Sequence, residues 1–136
     1  NAAGAIQWQR LYGDSKHDTC YSIVQNADGG YTLFGNTASS NSGTITATGN
    51  GGSDLLIMKL NSSGAILSQQ VYGGSAGDVG KSISKTTDGG YIISGYSESS
   101  NSGNIMDTNN GYYQDCWLIK IDASGNIANV PNVGQK

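Results

Sequence analysis

The sequence predicts an all-β chain made of two tandem copies of one four-stranded antiparallel unit, and three observations lead there. The first is a repeat. Shifted by 60 residues, Leu11-Tyr12-Gly13 falls on Val71-Tyr72-Gly73, Asp28-Gly29-Gly30-Tyr31 on Asp88-Gly89-Gly90-Tyr91, and Ser39-Ser40-Asn41-Ser42-Gly43 on Ser99-Ser100-Asn101-Ser102-Gly103. One inserted residue then moves the offset to 61, carrying Asp54 to Asp115, Lys59 to Lys120 and Asn61-Ser62-Ser63-Gly64 to Asp122-Ala123-Ser124-Gly125. Identity at a fixed period marks a repeat architecture. The second observation is composition: 21 Gly and one Pro in 136 residues, with charged residues at 12%, about half the usual share. The third is rhythm, since short apolar-polar alternations are bounded by clusters of Gly, Asn, Asp and Ser, which reads as strands and turns. A net charge of only −3 and recurring Ile, Leu, Val and Tyr argue against disorder.

The elements follow in order. Residues 1–6 copy 61–66, so the chain opens on the turn before a fourth strand, residues 5–12, with no unit of its own ahead of it. Ile6, Trp8, Arg10 and Tyr12 alternate along that strand. The first repeat spans about 13–72 and the second about 73–134. Within the second, residues 81–86 alternate as a first strand, and Asp88-Gly89-Gly90 turns the chain, glycine supplying the positive φ of a tight hairpin. Residues 91–96 return as the second strand, 97–114 form a polar loop, 116–121 the third strand, and a fourth starts at Ile127 after Ala123-Ser124-Gly125. That last copy, 127–134, is poor: Asn129, Pro131 and Asn132 interrupt the alternation, and proline cannot donate to a ladder. The chain thus holds two sets of strands one to three and three copies of strand four.

Four short antiparallel strands per unit, repeated, describe β-propeller blades. Two blades cannot close a ring, for natural propellers have about four to eight, and an open pair leaves edges that soluble proteins cover. The ring is therefore expected to be completed by oligomerisation or by a longer parent chain. Three copies give a six-bladed ring and four an eight-bladed one, through head-to-tail contacts that close by rotation. Strand 5–12 of one copy then completes the second blade of its neighbour and displaces the proline-bearing tail. If rotation does not close, the same strand donation builds a filament.

Tyr72-Gly73-Gly74-Ser75, Asp78, Ser82-Ile83, Thr86-Thr87-Asp88-Gly89-Gly90-Tyr91-Ile92 and Gly95-Tyr96-Ser97 come first, then Asp115-Cys116-Trp117-Leu118-Ile119-Lys120-Ile121-Asp122 and Gly125. This pattern resembles the DGGY-type β-propeller blade repeat of bacterial and archaeal surface or secreted proteins. The resemblance spans nearly the whole chain and implies an extracellular or cell-surface propeller without assigning an activity. Members often carry Asp-Gly-Asp after the second strand. Here Asn41-Ser42-Gly43-Thr44 and Asn101-Ser102-Gly103-Asn104 stand in its place.

Several function classes are disfavoured. Seven scattered Lys and Arg give no basic stripe for phosphates, and no apolar run approaches the ~20 residues of a membrane span. Opening on Asn1-Ala2-Ala3-Gly4, with neither Met nor signal peptide, the chain reads as a mature product or a piece of something longer. Catalysis is not expected. The single histidine, His17, sits in a loop beside Asp14 and Asp18, opposite Gly77 in the second repeat, and no second group completes a triad. The expected partners are further copies of the chain and a ligand, with carbohydrate favoured, because sugars stack on aromatic faces and bind through amides and carboxylates. The ligand candidates are Tyr112, Tyr113, Trp117, Trp8, Arg10 and Tyr21; Tyr112 and Tyr113 lie in the longer loop and have no repeat counterparts. No cofactor is expected. A calcium ion is the alternative, held by Asp107, Asn109 and Asp115. Cys20 falls on Gly80 and Cys116 on Leu55, so neither is a repeated feature; two separate half-buried thiols are expected, with a disulfide as the alternative.

Overall fold

The computed structural model describes residues 2–128. Seven strands form two antiparallel sheets, and the described residues include no helix. β1 (Asp18–Gln25), β2 (Tyr31–Thr37), β3 (Asp54–Leu60) and β4 (Ile66–Tyr72) lie side by side in chain order; β5 (Asp78–Lys85), β6 (Tyr91–Ser97) and β7 (Asp115–Ile121) repeat the arrangement. Strand pairing repeats as well. Asp18 opposes Thr37 as Asp78 opposes Ser97, and the same bulge shifts the register between Cys20 and Ser22 and between Gly80 and Ser82. A bulge lets two residues oppose one, and the extra residues are Tyr21 and Lys81.

Where the fourth strand of the second repeat is expected, the described residues show an isolated bridge and no strand. Ile127 bridges Ile121 and the Ala128 N–H donates to Lys120 O at 2.9 Å. Asn129, Pro131 and Asn132, and the rest of 127–134 beyond Ala128, lie outside the described residues. The strand expected over 5–12 is not formed in this chain, where residues 6–12 join no ladder. The reason is local: a strand needs a free neighbour, and the fourth position of the first sheet is already filled by β4.

Even so, 6–12 sits where a preceding unit's fourth strand belongs. The Tyr12 hydroxyl donates to Gly64 O at 2.7 Å, and its counterpart Tyr72 donates to Gly125 O. Each of these tyrosines therefore ties its own segment to the last turn of the following sheet. Trp8 lies edge-on to Tyr31 with ring centroids 5.7 Å apart. Gly4, Gly64 and Gly125 have φ of +75°, +79° and +91°, so the opening residues adopt the same turn as the two later copies.

Burial follows strand position. The core between the sheets joins Phe34, Leu55, Ile57 and Tyr72 of the first to Tyr91, Ile93, Ile119 and Ile121 of the second. A second cluster, Ile45, Leu56, Met58 and Leu60, lies on the far face of the first sheet, half covered by Tyr12, Tyr31 and Ile66. β3 is therefore apolar on both faces, as its run Asp-Leu-Leu-Ile-Met-Lys-Leu requires. β7 occupies the same place in its sheet but is covered on one face only. Ile119 and Ile121 are buried while Cys116 and Leu118 face outward, Leu118 being 65% exposed.

Candidate functional site

The loops at the starts of β1, β3, β5 and β7 converge at one end of the sheets, and a repeated carboxylate organises them. In the first unit Thr37 Oγ1 donates to Asp18 Oδ1 at 2.5 Å and Ser39 Oγ to Asp18 Oδ2 at 3.0 Å. In the second, Ser97 Oγ donates to Asp78 Oδ1, while Ser99 Oγ and the Gly74 N–H donate to Asp78 Oδ2 at 2.7 and 2.6 Å. Asp78 is fully buried, and a buried carboxylate persists when its lone pairs are met in this way. Asp14 adds a non-repeated anchor in the first unit. It accepts from Ser39 Oγ, Ser42 Oγ and the Lys16 N–H, and these bonds hold its carboxyl down at about 2.

On this base stands the loop of residues 98–114. The Asn109 N–H donates to Ser100 Oγ at 3.1 Å, the Asn110 N–H to Asp115 Oδ2 at 2.7 Å, and Asn109 Nδ2 to Tyr113 O at 2.9 Å. The first unit closes its loop alike, with the Gly49 N–H on Ser40 Oγ and the Asn50 N–H on Asp54 Oδ2. The extra residue of the second repeat therefore falls between Asn110 and Asp115. It lifts Tyr112 and Tyr113, at 101% and 85% exposure, off a braced loop where the first unit has Gly51-Gly52.

The six ligand candidates do not form one site. Tyr112 and Tyr113 are neighbours on that loop. Trp117 is half-buried and packs on the core between the sheets, so it fills the place of Leu56. Trp8 and Arg10 lie against Gly64, one of the positions at which residues 6–12 touch the first sheet, and the guanidinium donates to Gln9 O. Tyr21, the bulge residue, is 46% exposed and sits 6.4 Å from Phe34. Lys81 Nζ lies 5.2 Å from the Tyr21 ring and 5.5 Å from that of Tyr96, within cation–π range. The sequence reading passed over this lysine, although Lys81 is the repeat counterpart of Tyr21.

Of the calcium candidates, Asp115 accepts from the backbone and side-chain amides of Asn110, and Asn109 is spent on loop closure. Asp107 is exposed, its carbonyl accepting from the Asn101 N–H. Among the described residues no three of His, Cys, Asp and Glu converge. His17 is exposed and its carbonyl accepts from the Ala38 N–H. The thiols are separate, as expected, but they are exposed and not half-buried, because each lies on a sheet face that no second sheet covers.

Two features had no signal in a single sequence. Asp54 is 1% exposed with Oδ1 unpartnered, because the second sheet closes over it. The other is an open cleft of about 60 Å³ on the outer face of the first sheet, lined by Tyr12, Cys20, Leu33, Leu56 and Met58. No protein-family model matches this chain, and no curated protein is significantly similar to it.

Proposed function

We propose that the chain is a non-enzymatic, extracellular or cell-surface binding module, two blades of a β-propeller, whose ligand is a carbohydrate taken by the Tyr112-Tyr113 loop. The observation that supports this most is the adjacent pair of solvent-facing tyrosines on a loop tied down by six hydrogen bonds from Asn109, Asn110 and Gly111. Exposed rings have no packing role. Held on a fixed backbone, they offer flat apolar faces to a sugar's C–H surface at little entropic cost, and Asn110 and Gln114 stand beside them to meet hydroxyls. The test is a glycan array followed by titration calorimetry. Replacement of both tyrosines by alanine is expected to weaken the best glycan by about tenfold or more, the value of one lost stacking contact of ~1.4 kcal/mol. Equal affinity of this variant, or no glycan bound by the unaltered chain, overturns the carbohydrate reading.

A second reading has its own support. The bond from Tyr12 to Gly64 repeats that from Tyr72 to Gly125, so residues 6–12 lie one unit behind the first sheet, where a neighbouring copy's second sheet needs its fourth strand. That favours a structural subunit of a surface filament or array assembled by strand donation. The geometry is equally compatible with this chain as part of a larger propeller that supplies the strand itself.

A further inference from the structure

The two cysteines are the reactive residues that neither repeat calls for, and neither finds a partner in its own chain. Both are free and exposed, the Cys20 thiol donating only to Ser22 O at 3.5 Å. Their repeat counterparts, however, touch. Cys20 stands where the second unit has Gly80, and Cys116 where the first has Leu55. Across the core between the sheets, a Cβ on Gly80 would lie 2.2 Å from Leu55 Cδ1 and 2.6 Å from Phe34 Cζ. Residue 80 is glycine because those two side chains fill its space. If a second copy packs its second sheet on this chain's first sheet, as the chain's own sheets pack, its Cys116 arrives at this chain's Cys20.

The substitutions around that point compensate one another. The counterpart of Phe34 is Ser94 and that of Leu55 is Cys116, both smaller, while Gly80 is replaced by the larger Cys20. Volume lost from one face is restored by the other, as close packing demands. Leucine Cδ1 is two bonds from its own Cβ, so the paired Cβ atoms come within the reach of the ~3.5–4.5 Å that a disulfide spans. The surrounding faces suit each other. Cys20 sits in the apolar cleft with Leu33, Leu56 and Met58, and Cys116 shares its sheet face with the outward Leu118 and, farther along, Ile92, 65% and 37% exposed.

We propose that Cys20 of one copy and Cys116 of a second copy form an intermolecular disulfide that locks a head-to-tail contact between the outer faces of the two sheets. The occupant of each open face is thus another copy of this chain. The bond forms by exchange. One thiol, as thiolate, displaces a thiolate from a small-molecule disulfide such as oxidised glutathione; the second thiolate then attacks the mixed disulfide and releases the other half. Two protein thiols are oxidised, one disulfide is reduced to two thiols, and the protons stay balanced. The inference rests on how the sheets pack and on no sugar, so it is tested with no glycan present.

The experiment is oxidation of the chain with oxidised glutathione, read by non-reducing electrophoresis, intact mass and peptide mapping. The unaltered chain is expected to give covalent species larger than a dimer, joined by a Cys20–Cys116 peptide. C20S alone and C116S alone are expected to give none, since each lacks one half of the pair. An equimolar mixture of the two is expected to give a covalent dimer and nothing larger. Both side chains are exposed, so serine leaves the fold intact, and matching melting curves check that. Cross-linked C20S or C116S alone would show indiscriminate oxidation, and a monomer with an internal bond, or one with both thiols capped by glutathione, would show that no second copy docks. Any of these overturns the proposal.

Discussion

Asp54 carries the clearest consequence of a single side chain. Burial pushes its carboxyl up to about 6 from the ordinary 3.8; the Asn50 and Gly51 amides oppose the rise and the charge of Asp78 adds to it. Between those two values the folded chain keeps a proton that the unfolded chain has released. This carboxyl's contribution to stability is therefore full below the unfolded value and is lost as pH rises through about 6. At 1.36 kcal/mol per unit, the loss is on the order of 2–3 kcal/mol. Asp14, Asp88 and Asp122 are held low by hydrogen bonds, Asp88 foremost by Lys120, and their contributions are lost as pH falls below the ordinary carboxylate range. The two effects occupy separate windows. D54N should melt several degrees above the unaltered chain at pH 8 and match it near pH 4; a variant that is less stable at pH 8 removes the buried-charge account. None of this was legible in the sequence. Asp54 and Asp115 are the same letter at the same repeat position, and only the second sheet's cover over one of them separates their chemistry.

Strands were the most legible elements, because period-two alternation survives in short segments and the repeat gives each one twice. The structure begins β5 at Asp78, three residues ahead of the expected 81. Its first residues are buried through a carboxylate network and a close approach at Gly80, neither of which alternation detects. The turns show the limit from another side. The sequence assigned the Asp-Gly-Gly turn to positive φ, which holds for Gly89 at +83° with nothing nearer a Cβ than Ala123 at 3.8 Å. Gly90 has a different reason: a Cβ there would lie 2.2 Å from Ile121 O. Gly89→Ala should cost about 1–2 kcal/mol, the price of a left-handed residue. Gly90→Ala should cost more, because a strand carbonyl must move. Chemical denaturation of the two variants checks this, and the reverse order refutes the assignment of the two glycines.

At the largest scale, the described residues form one contact between two sheets. Two units were readable from the repeat alone. Which faces are covered was not, since Leu118 and Ile57 look equally like core residues in the sequence, yet one is 65% exposed and the other 2%. Trp117, whose counterpart is Leu56, packs half-buried on the core between the sheets. Light scattering coupled to size exclusion, at several concentrations, should show a discrete ring of three or four copies or a length-polydisperse assembly. Deleting residues 1–12 should reduce either to smaller species, because it removes the segment that Tyr12 fastens to Gly64. An unaltered native mass after the deletion eliminates strand donation.

The bonds from Tyr12 to Gly64 and from Tyr72 to Gly125 fix where such a chain can be cut and extended. Each binds the segment that closes one unit to the final turn of the next, so the self-consistent module runs from one Tyr-Gly step to the following one and not from strand to strand. A gene that gains or loses a segment between Gly13 and Tyr72 makes no new kind of contact, only another instance of an old one. In the propeller proposed above, chain length could therefore drift by whole modules, with the number of blades set by how many chains join.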